Sequence, residues 1–262
     1  MTIFKAIVLG AVQGLAEFLP ISSSGHLVIF NHLLASQGSS DLLFDVLVHL
    51  GTFLAVLAAF WRDVLRLILE CFSVLGDLFK GRLKGSRPAP ARNLLYMLVI
   101  SLLPLFLVLP VKGFIESLFQ NPVFVGFALL VTGCILLLSG RFPEGRVGMA
   151  GTRAKNALAV GFTQLLAIIP GISRSGSTIT AGLACGFKRD YAVRYSFLLS
   201  LPTTLAAVLL EVYDVIKQGA LPEKWGPYLV GMLVAAVTGY AAIGLVKMLV
   251  RDNKFSSFAY YC

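Results

Sequence analysis

The sequence predicts an all-α polytopic membrane protein with an inverted-topology repeat, two re-entrant helix-loop-helix hairpins and five to six spanning helices. Of the 262 residues, 57% are hydrophobic and 13% are charged, whereas a soluble domain carries roughly 25% charged residues. Several apolar runs approach the roughly 20 residues that a spanning helix needs. A motif in the first 25 residues also recurs at 161–176. We therefore expect a single integral membrane domain over residues 1–262.

Five apolar runs predict the spanning helices, and one further segment is expected at the membrane surface. The runs lie at about 42–60, 93–111, 122–140, 195–210 and 227–249. The stretch 64–79 is also apolar but contains Arg66, Glu70 and Asp77. Such a mixture is typical of an amphipathic helix that lies in the membrane interface.

The basic residues are concentrated in four connections, and they predict the orientation of the chain. Seven, four, three and three of the 22 Lys and Arg residues lie in 61–92, 141–155, 188–194 and 247–254. Because Lys and Arg gather on the cytoplasmic side, we place these four connections there. The net charge of +9 then reflects topology, and we do not expect nucleic acid as a partner.

Two segments fit this orientation only if they enter the membrane and return to the same side. Both flanks of 156–187 are basic, so both are predicted to be cytoplasmic. The first 35 residues are predicted to begin and end outside, because 36–41 contains no basic residue. We therefore predict two re-entrant hairpins that enter from opposite faces.

The second hairpin repeats the first. The stretch "GAVQGLAEFLPISSSG" at 10–25 aligns with "GFTQLLAIIPGISRSG" at 161–176, which defines repeat 1 (about 1–140) and repeat 2 (about 156–262). Three spanning runs separate the copies, and an odd number inverts the second copy. Both polar tips are expected to reach the membrane interior, where non-helical backbone survives only inside protein or beside a water-filled cavity. A pair of proline-kinked spanning helices is the alternative.

Arg174, at the second tip, is the residue that most strongly indicates an anionic ligand. An arginine in the membrane needs a partner, and its planar fork suits a phosphate or a carboxylate. The N–H groups at the start of the following helix also attract anions. A structural ion pair with Glu17 is the alternative. The phosphate-binding residues that we predict are Ser173, Arg174, Ser175, Gly176 and Thr178.

The first tip offers an acid, hydroxyls and an imidazole. Gln13 and Glu17 are spaced i, i+4 and share a helix face. Glu17 is predicted to hold a divalent cation (Mg²⁺ or Ca²⁺) together with Gln13, to act as a base, or to anchor Arg174. His26 is predicted to be a general base or nucleophile beside Ser23. The predicted catalytic residues are Glu17, Ser23, His26 and Arg174.

Asp45 and His49 form a second polar pair, on one face of the run 42–60. They either line the cavity and support the site, or bond each other, and the spacing does not choose between these alternatives.

The motifs resemble those of a known family. "GLAEFLPISSSGHL", "FDVLVHLGT", "PGISRSGSTIT" and "YSFLLSLP" are similar to the signature regions of the bacterial undecaprenyl-diphosphate phosphatases of the bacitracin-resistance type, and the resemblance covers nearly the whole chain. It implies cleavage of a polyprenyl diphosphate lipid, undecaprenyl diphosphate, to undecaprenyl phosphate and inorganic phosphate. That reaction recycles the carrier lipid for peptidoglycan synthesis. The resemblance further implies a site that opens to the outer face of the bacterial cytoplasmic membrane.

The resemblance also assigns roles to residues that match the family's motifs. Ser23 and His26 fall on the proposed catalytic serine and histidine of the family. Gln13 stands where many members have a second glutamate, which weakens a two-carboxylate metal site. The family's remaining elements, an (E/Q)xxxE motif and a phosphate-binding loop, fall on Gln13 and Glu17 and on Ser173, Arg174 and Thr178.

Repeat 2 has two spanning runs after its hairpin where repeat 1 has three, and the family usually has a final span. We expect either a truncated chain or a dispensable last helix. An inverted-repeat transporter or flippase for a phosphorylated lipid is the alternative function. The sequence leaves open whether the chain forms a homodimer.

Overall fold

The computed structural model describes residues 1–27, 42–80, 89–119, 121–218 and 225–262. These residues fold into α-helices joined by short turns and by 3₁₀ segments at Leu103–Val111, Met149–Gly151 and Phe255–Tyr260. The α-helices are α1 (Ile3–Phe18), α2 (Leu42–Ala59), α3 (Trp61–Phe79), α4 (Pro90–Leu102), α5 (Lys112–Leu118), α6 (Pro122–Ser139), α7 (Ala154–Leu166), α8 (Arg174–Ala184), α9 (Arg189–Gln218) and α10 (Gly226–Arg251).

The helix starts follow signals in the sequence. Thr2 precedes α1, and its hydroxyl accepts from the Lys5 N–H at 3.3 Å. Asn121 precedes α6, and its side-chain oxygen accepts from the Phe124 N–H at 3.1 Å. Pro122 then occupies the first turn of α6, where a missing N–H costs nothing.

Five segments of the described chain are long and apolar enough to cross a membrane, which confirms the five predicted spans. They are Leu42–Ala59, Pro90–Val111, Pro122–Ser139, Arg189–Lys217 and Gly226–Arg251.

The second span differs from a regular α-helix in its C-terminal half. Residues 103–111 are 3₁₀ rather than α-helical. The sequence there is "LPLFLVLPV", and each proline removes one backbone donor and crowds the preceding turn.

Helix α3 includes the predicted interfacial stretch. None of its 19 residues is buried in the protein, so its apolar face is available to lipid, as in an interfacial helix. Arg92, at the start of α4, holds it in place through Glu70 at 3.1 Å and Asp77 at 2.7 Å.

The second hairpin returns to the side from which it enters. The Val147 N–H donates to the Gly186 carbonyl at 2.9 Å, and the Lys188 N–H donates to the Val147 carbonyl at 2.9 Å. The chain before α7 therefore lies beside the chain after α8. With 13 and 11 residues, these helices rise only about 20 and 17 Å, which is too short to cross a core about 30 Å thick.

The first hairpin is described as far as its tip. Helix α1 has 16 residues, a turn follows at 19–22, and residues 23–27 form the start of a second helix. The rest of that returning limb, and so the predicted exit on the outer side, lies outside the described residues.

Each hairpin packs on a spanning helix of the other repeat, through the same glycine of the repeated motif. Helix α1 packs on α10, and a Cβ on Gly10 would lie 2.5 Å from the Gly231 carbonyl oxygen. Helix α7 packs on α4, and a Cβ on Gly161 would lie 2.4 Å from the Ser101 carbonyl oxygen. Glycine is required at both crossings because the two backbones touch, and these contacts interlock the repeats.

The larger apolar core surrounds the second hairpin and α9, where Phe187 and Tyr195 are almost fully buried. An aromatic layer, formed by Phe18, Phe60 and Phe197, extends this core toward α1 and α2. The Phe197 ring centroid lies 5.3 Å from that of Phe18 and 6.0 Å from that of Phe60. All three rings are buried.

Candidate active site

The two hairpin tips are closed by equivalent hydrogen bonds. In the first tip the Gly25 N–H donates to Ser22 Oγ at 3.4 Å, and in the second the Gly176 N–H donates to Ser173 Oγ at 3.1 Å. These serines cap the helices that follow. Ser22 adopts a φ of 67°, a left-handed conformation that is uncommon outside glycine.

The tips touch each other. A Cβ on Gly176 would lie 3.2 Å from Pro20 Cβ, and a Cβ on Gly25 would lie 3.7 Å from Gly171 Cα. The prediction that two half-crossing loops meet inside the protein therefore agrees with the structure.

Glu17, at the end of α1, is the centre of the contact. Its Oε1 forms an ion pair with Arg174 Nη2, while Oε2 accepts from Ser23 Oγ at 2.7 Å and from Gln13 Nε2 at 3.0 Å. The Glu17 side chain is 6% exposed and that of Arg174 is 28% exposed. The ion pair that the sequence offered as the alternative role for Arg174 is thus present in the structure.

Helix α9 supplies two further partners of Arg174 that the sequence analysis missed. Arg174 Nη1 donates to Thr203 Oγ1 at 3.1 Å and to Thr204 Oγ1 at 3.2 Å. A guanidinium has five N–H donors, so two of those of Arg174 have no partner among the described residues. The sequence does contain a signal for these partners, since two hydroxyl residues directly follow Pro202 in the middle of an apolar span. A proline there frees backbone groups that need polar partners.

The other residues of the predicted phosphate loop are packed between the tips. Ser173, Ser175 and Thr178 are 1%, 4% and 2% exposed. Thr178 Oγ1 donates to the Arg174 carbonyl at 2.8 Å and lies 2.6 Å from Ser196 Oγ. Of this set, Arg174 is the residue whose polar atoms reach the surface of the site.

Thr132, on α6, fixes the second tip and was also missed. Its Oγ1 donates to the Gly171 carbonyl at 2.9 Å and accepts from the Ser173 N–H at 3.0 Å. Gly171 has a φ of +94°, which favours glycine.

His26 lies on the same helical turn as Ser23 but bonds other groups. Its Nδ1 is 2.8 Å from the Ser22 carbonyl oxygen, so Nδ1 carries the proton. Its Nε2 is 2.7 Å from the Tyr261 hydroxyl, and the two rings stack with centroids 5.6 Å apart. The expected His26–Ser23 pair is not formed, because the imidazole turns back to the carbonyl four residues earlier and Ser23 donates to Glu17.

His49 contacts the backbone of Asp45. His49 Nδ1 donates to the Asp45 carbonyl oxygen at 2.7 Å. Thr52 Oγ1 donates in turn to the His49 carbonyl at 2.8 Å, and Thr52 lines a narrow cavity of about 10 Å³ beside Glu17. The face of α2 that carries Asp45 and His49 thus reaches the site through Thr52.

Gln13 provides an orphaned oxygen next to the carboxylate. The side chain is fully buried, and its Oε1 has no hydrogen-bond partner among the described residues. Carboxylate and amide oxygens suit Mg²⁺ and Ca²⁺, so Gln13 and Glu17 fit the predicted cation. Within the described part of the chain, no group of three or more His, Cys, Asp or Glu residues forms a metal site.

Comparison with known proteins places this geometry in a family. The family model of the bacitracin resistance protein BacA matches residues 6–262. A relative from Halothermothrix orenii, named undecaprenyl-diphosphatase, is 42% identical over 263 residues, covering the whole chain and 95% of the relative. Relatives of the same name from Methanosphaera stadtmanae and Korarchaeum cryptofilum are 39% and 40% identical, again over the whole chain and over 95% and 96% of the relatives. This chain therefore belongs to the bacitracin resistance protein BacA family.

Proposed function

We propose that the protein is an integral membrane phosphatase that hydrolyses undecaprenyl diphosphate to undecaprenyl phosphate and inorganic phosphate. The observation that carries the proposal is the contact of Ser23 Oγ with Glu17 Oε2 at 2.7 Å, beside Arg174. A hydroxyl bonded to a carboxylate is an activated nucleophile, and a guanidinium binds phosphate oxygens. The relatives' shared name supplies the substrate.

Ser23 attacks the terminal phosphorus in the first step. Its Oγ forms the new P–O bond while its proton passes to Glu17 Oε2, and the bond to the bridging oxygen breaks. Undecaprenyl phosphate leaves with that oxygen. Water then attacks the phosphoserine and gives a proton to His26, and the bond between Ser23 Oγ and phosphorus breaks. Glu17 returns its proton to Ser23 Oγ, and inorganic phosphate leaves.

Arg174 holds the transferring phosphoryl group. Phosphoryl transfer depends mostly on positioning and on charge stabilisation. Two N–H groups of Arg174, which have no partner among the described residues, supply both, and Thr203 and Thr204 fix the guanidinium plane.

His26 is the second base. With its proton on Nδ1, it keeps a lone pair on Nε2, where the Tyr261 hydroxyl now donates. In the second step the attacking water replaces that hydroxyl as the donor to Nε2, which then takes the proton of the water.

Gln13 Oε1 and Glu17 would hold a divalent cation together with substrate oxygens. When bound, Mg²⁺ or Ca²⁺ would offset the negative charge of the diphosphate. Gln13 and Glu17 have a separate role in its absence, since the Gln13 amide orients the carboxylate toward Ser23.

The cellular setting is part of the proposal. The five spans keep the lipid tail among apolar side chains, and the basic connections orient the chain in the cytoplasmic membrane. The site then opens to the outer face, and its product lipid is recycled for peptidoglycan synthesis, which gives bacitracin resistance.

Phosphate release by the purified chain tests this function. With Mg²⁺ and undecaprenyl diphosphate we expect release by the native chain, and its loss in Ser23→Ala and Glu17→Gln, with His26→Ala strongly impaired. If the native chain released no phosphate while lipid headgroups crossed vesicles that contain it, the transporter alternative would replace the phosphatase.

A further inference from the structure

A second cavity, of about 670 Å³, lies between the α2–α3 junction, the start of α9 and the end of α10. We call it the basic cavity. Its volume is in the range of small-molecule sites, roughly 300–1,000 Å³. The cationic side chains that line it are Arg62, Arg66, Arg194, Lys247 and Arg251.

The positive charge of the basic cavity is only partly compensated. Asp63 and Asp190 are the acids among its described lining residues, and Asp63 is paired with Arg194. Arg251 contacts Asp252 at 3.4 Å. The three remaining cations, those of Arg62, Arg66 and Lys247, have no carboxylate within ion-pair distance among the described residues.

One buried donor in this cavity lacks an acceptor. Arg194 pairs with Asp63 through Nη2, but its Nε is buried and has no hydrogen-bond partner in the described part of the chain. A buried donor without an acceptor is costly. Because this Nε has no accessible surface toward the open cavity, the Arg194 side chain would have to turn before an anion could accept from it.

The cytoplasmic bias of Lys and Arg explains basic residues on this face but not their arrangement around one cavity. Basic residues that are distant in the sequence, at 62–66, 194 and 247–251, converge there. Lys247 is also held in place, with Nζ 4.0 Å from the centroid of the Phe60 ring.

The basic cavity is separate from the candidate active site. Phe18 lines the cavity beside Glu17, while Phe60 lines the basic cavity. Phe197 packs between these two rings. The aromatic layer therefore closes the direct route from one cavity to the other.

We propose that the basic cavity is a second binding site, specific for phosphate-bearing anions. Guanidinium forks from Arg62 and Arg66 and the Lys247 ammonium match the oxygens of a phosphomonoester or diphosphate group. That group belongs either to a free anion or to the headgroup of an anionic lipid.

Gly244 gives a sharp test of this site. It lines the basic cavity, and a Cβ added there meets nothing within 4 Å. Gly244→Glu places a carboxylate in the cavity, and Gly244→Gln is a neutral control of the same shape. Both changes are made in the full chain with Glu17→Gln and Arg174→Met, which removes both charges of the candidate active site.

Two probes distinguish the sources of the phosphate. Calorimetry measures binding of inorganic pyrophosphate in neutral detergent, and native mass spectrometry counts phosphatidylglycerol retained from phosphatidylcholine nanodiscs. We expect Gly244→Glu to weaken binding of at least one probe by about tenfold or more, and Gly244→Gln by less than about threefold. The probe that responds identifies a free anion or a lipid headgroup.

The proposal is overturned if the parent chain binds neither probe, or if the Glu and Gln variants bind equally well. Failure of the phosphatase assay leaves this test intact, because binding is measured without turnover. In an otherwise native chain, Gly244→Glu should release phosphate at a rate within about twofold of the native rate. A larger loss would contradict the separation of the two sites.

Discussion

Both oxygens of the Glu17 carboxylate are used in the structure, one by Arg174 and the other by Ser23 and Gln13. Its side chain is 6% exposed. A buried charge is tolerated only when it is paired and hydrogen-bonded. These contacts hold the Glu17 carboxylate beside the Ser23 hydroxyl, so residues of the proposed active site also contribute to folding.

A double-mutant cycle measures how much the Glu17–Arg174 ion pair contributes to stability, separately from any role in the reaction. Arg174→Met leaves the Glu17 carboxylate buried and unpaired, and we expect it to lower the free energy of unfolding by about 3 kcal/mol. Adding Glu17→Gln should restore most of that loss, to within about 1 kcal/mol of the native chain. Unfolding by SDS titration in mixed micelles measures both. A double variant no more stable than Arg174→Met would contradict the ion pair.

The proposed role of Arg174 in binding phosphate is tested by a substitution that keeps its positive charge and removes its planar guanidinium. Arg174→Lys retains a cation opposite Glu17 but has one donor group in place of two planar ones. We expect kcat for phosphate release to fall about 100-fold, with less loss of stability than in Arg174→Met. Near-native kcat would show that Arg174 does not hold the transferring group.

The Tyr261 hydroxyl occupies the His26 Nε2 in the structure but does not itself react in the proposed mechanism. Tyr261→Phe keeps the stacked ring and removes the hydroxyl that lies 2.7 Å from His26 Nε2. Because the attacking water must displace this hydroxyl from Nε2, loss of a hydrogen bond of about 1 kcal/mol should raise kcat by up to about fivefold where the second step limits the rate, with KM unchanged, and should shift the pH profile of kcat. The matched control is Tyr260→Phe, since Tyr260 is 88% exposed. Equal rates for both variants would remove Tyr261 from the site.

At the scale of elements, the hairpins depend on glycine where two backbones touch. Gly10 on α1 and Gly161 on α7 occupy equivalent positions in the repeated motif, and each faces a carbonyl of a spanning helix. Because the two positions are equivalent, a larger side chain at either glycine should destabilise the protein to a similar extent.

Alanine at either crossing tests this interlock. We expect Gly10→Ala and Gly161→Ala each to destabilise the protein by about 2 kcal/mol or more, because the neighbouring atoms are backbone and cannot move aside. Gly126→Ala on α6 is the control, since a Cβ there meets nothing within 4 Å; it should be neutral or stabilising by up to about 1 kcal/mol. SDS titration measures all three. Similar values at Gly126 and Gly10 would contradict the close crossings.

The sequence predicts the elements better than their contacts. Apolar runs and basic connections locate the five spans and the second hairpin because insertion into lipid depends on local composition. Thr178 was predicted to bind phosphate, but in the structure its hydroxyl bonds Ser196 across the α8–α9 interface. Partners such as Tyr261, which is 235 residues from His26, follow from tertiary packing and leave no local pattern.

At the scale of the whole molecule, the second hairpin should expose both of its ends on one side of the membrane. Val147 and Phe187 form a bridge at its base. In vesicles, a chain with its four cysteines replaced by serine and with Arg146→Cys or Lys188→Cys should react with a membrane-impermeant maleimide from the same side in both variants. Labelling from opposite sides would contradict a re-entrant hairpin.

The packing of α1 on α10 has a consequence for biogenesis. During synthesis α1 emerges before the helix on which it docks, which follows more than 200 residues later. Until then α1 has α2 as a neighbour but lacks its most extensive packing partner. The contact between α1 and α10 therefore forms late in synthesis, and a chain that ends before α10 lacks it.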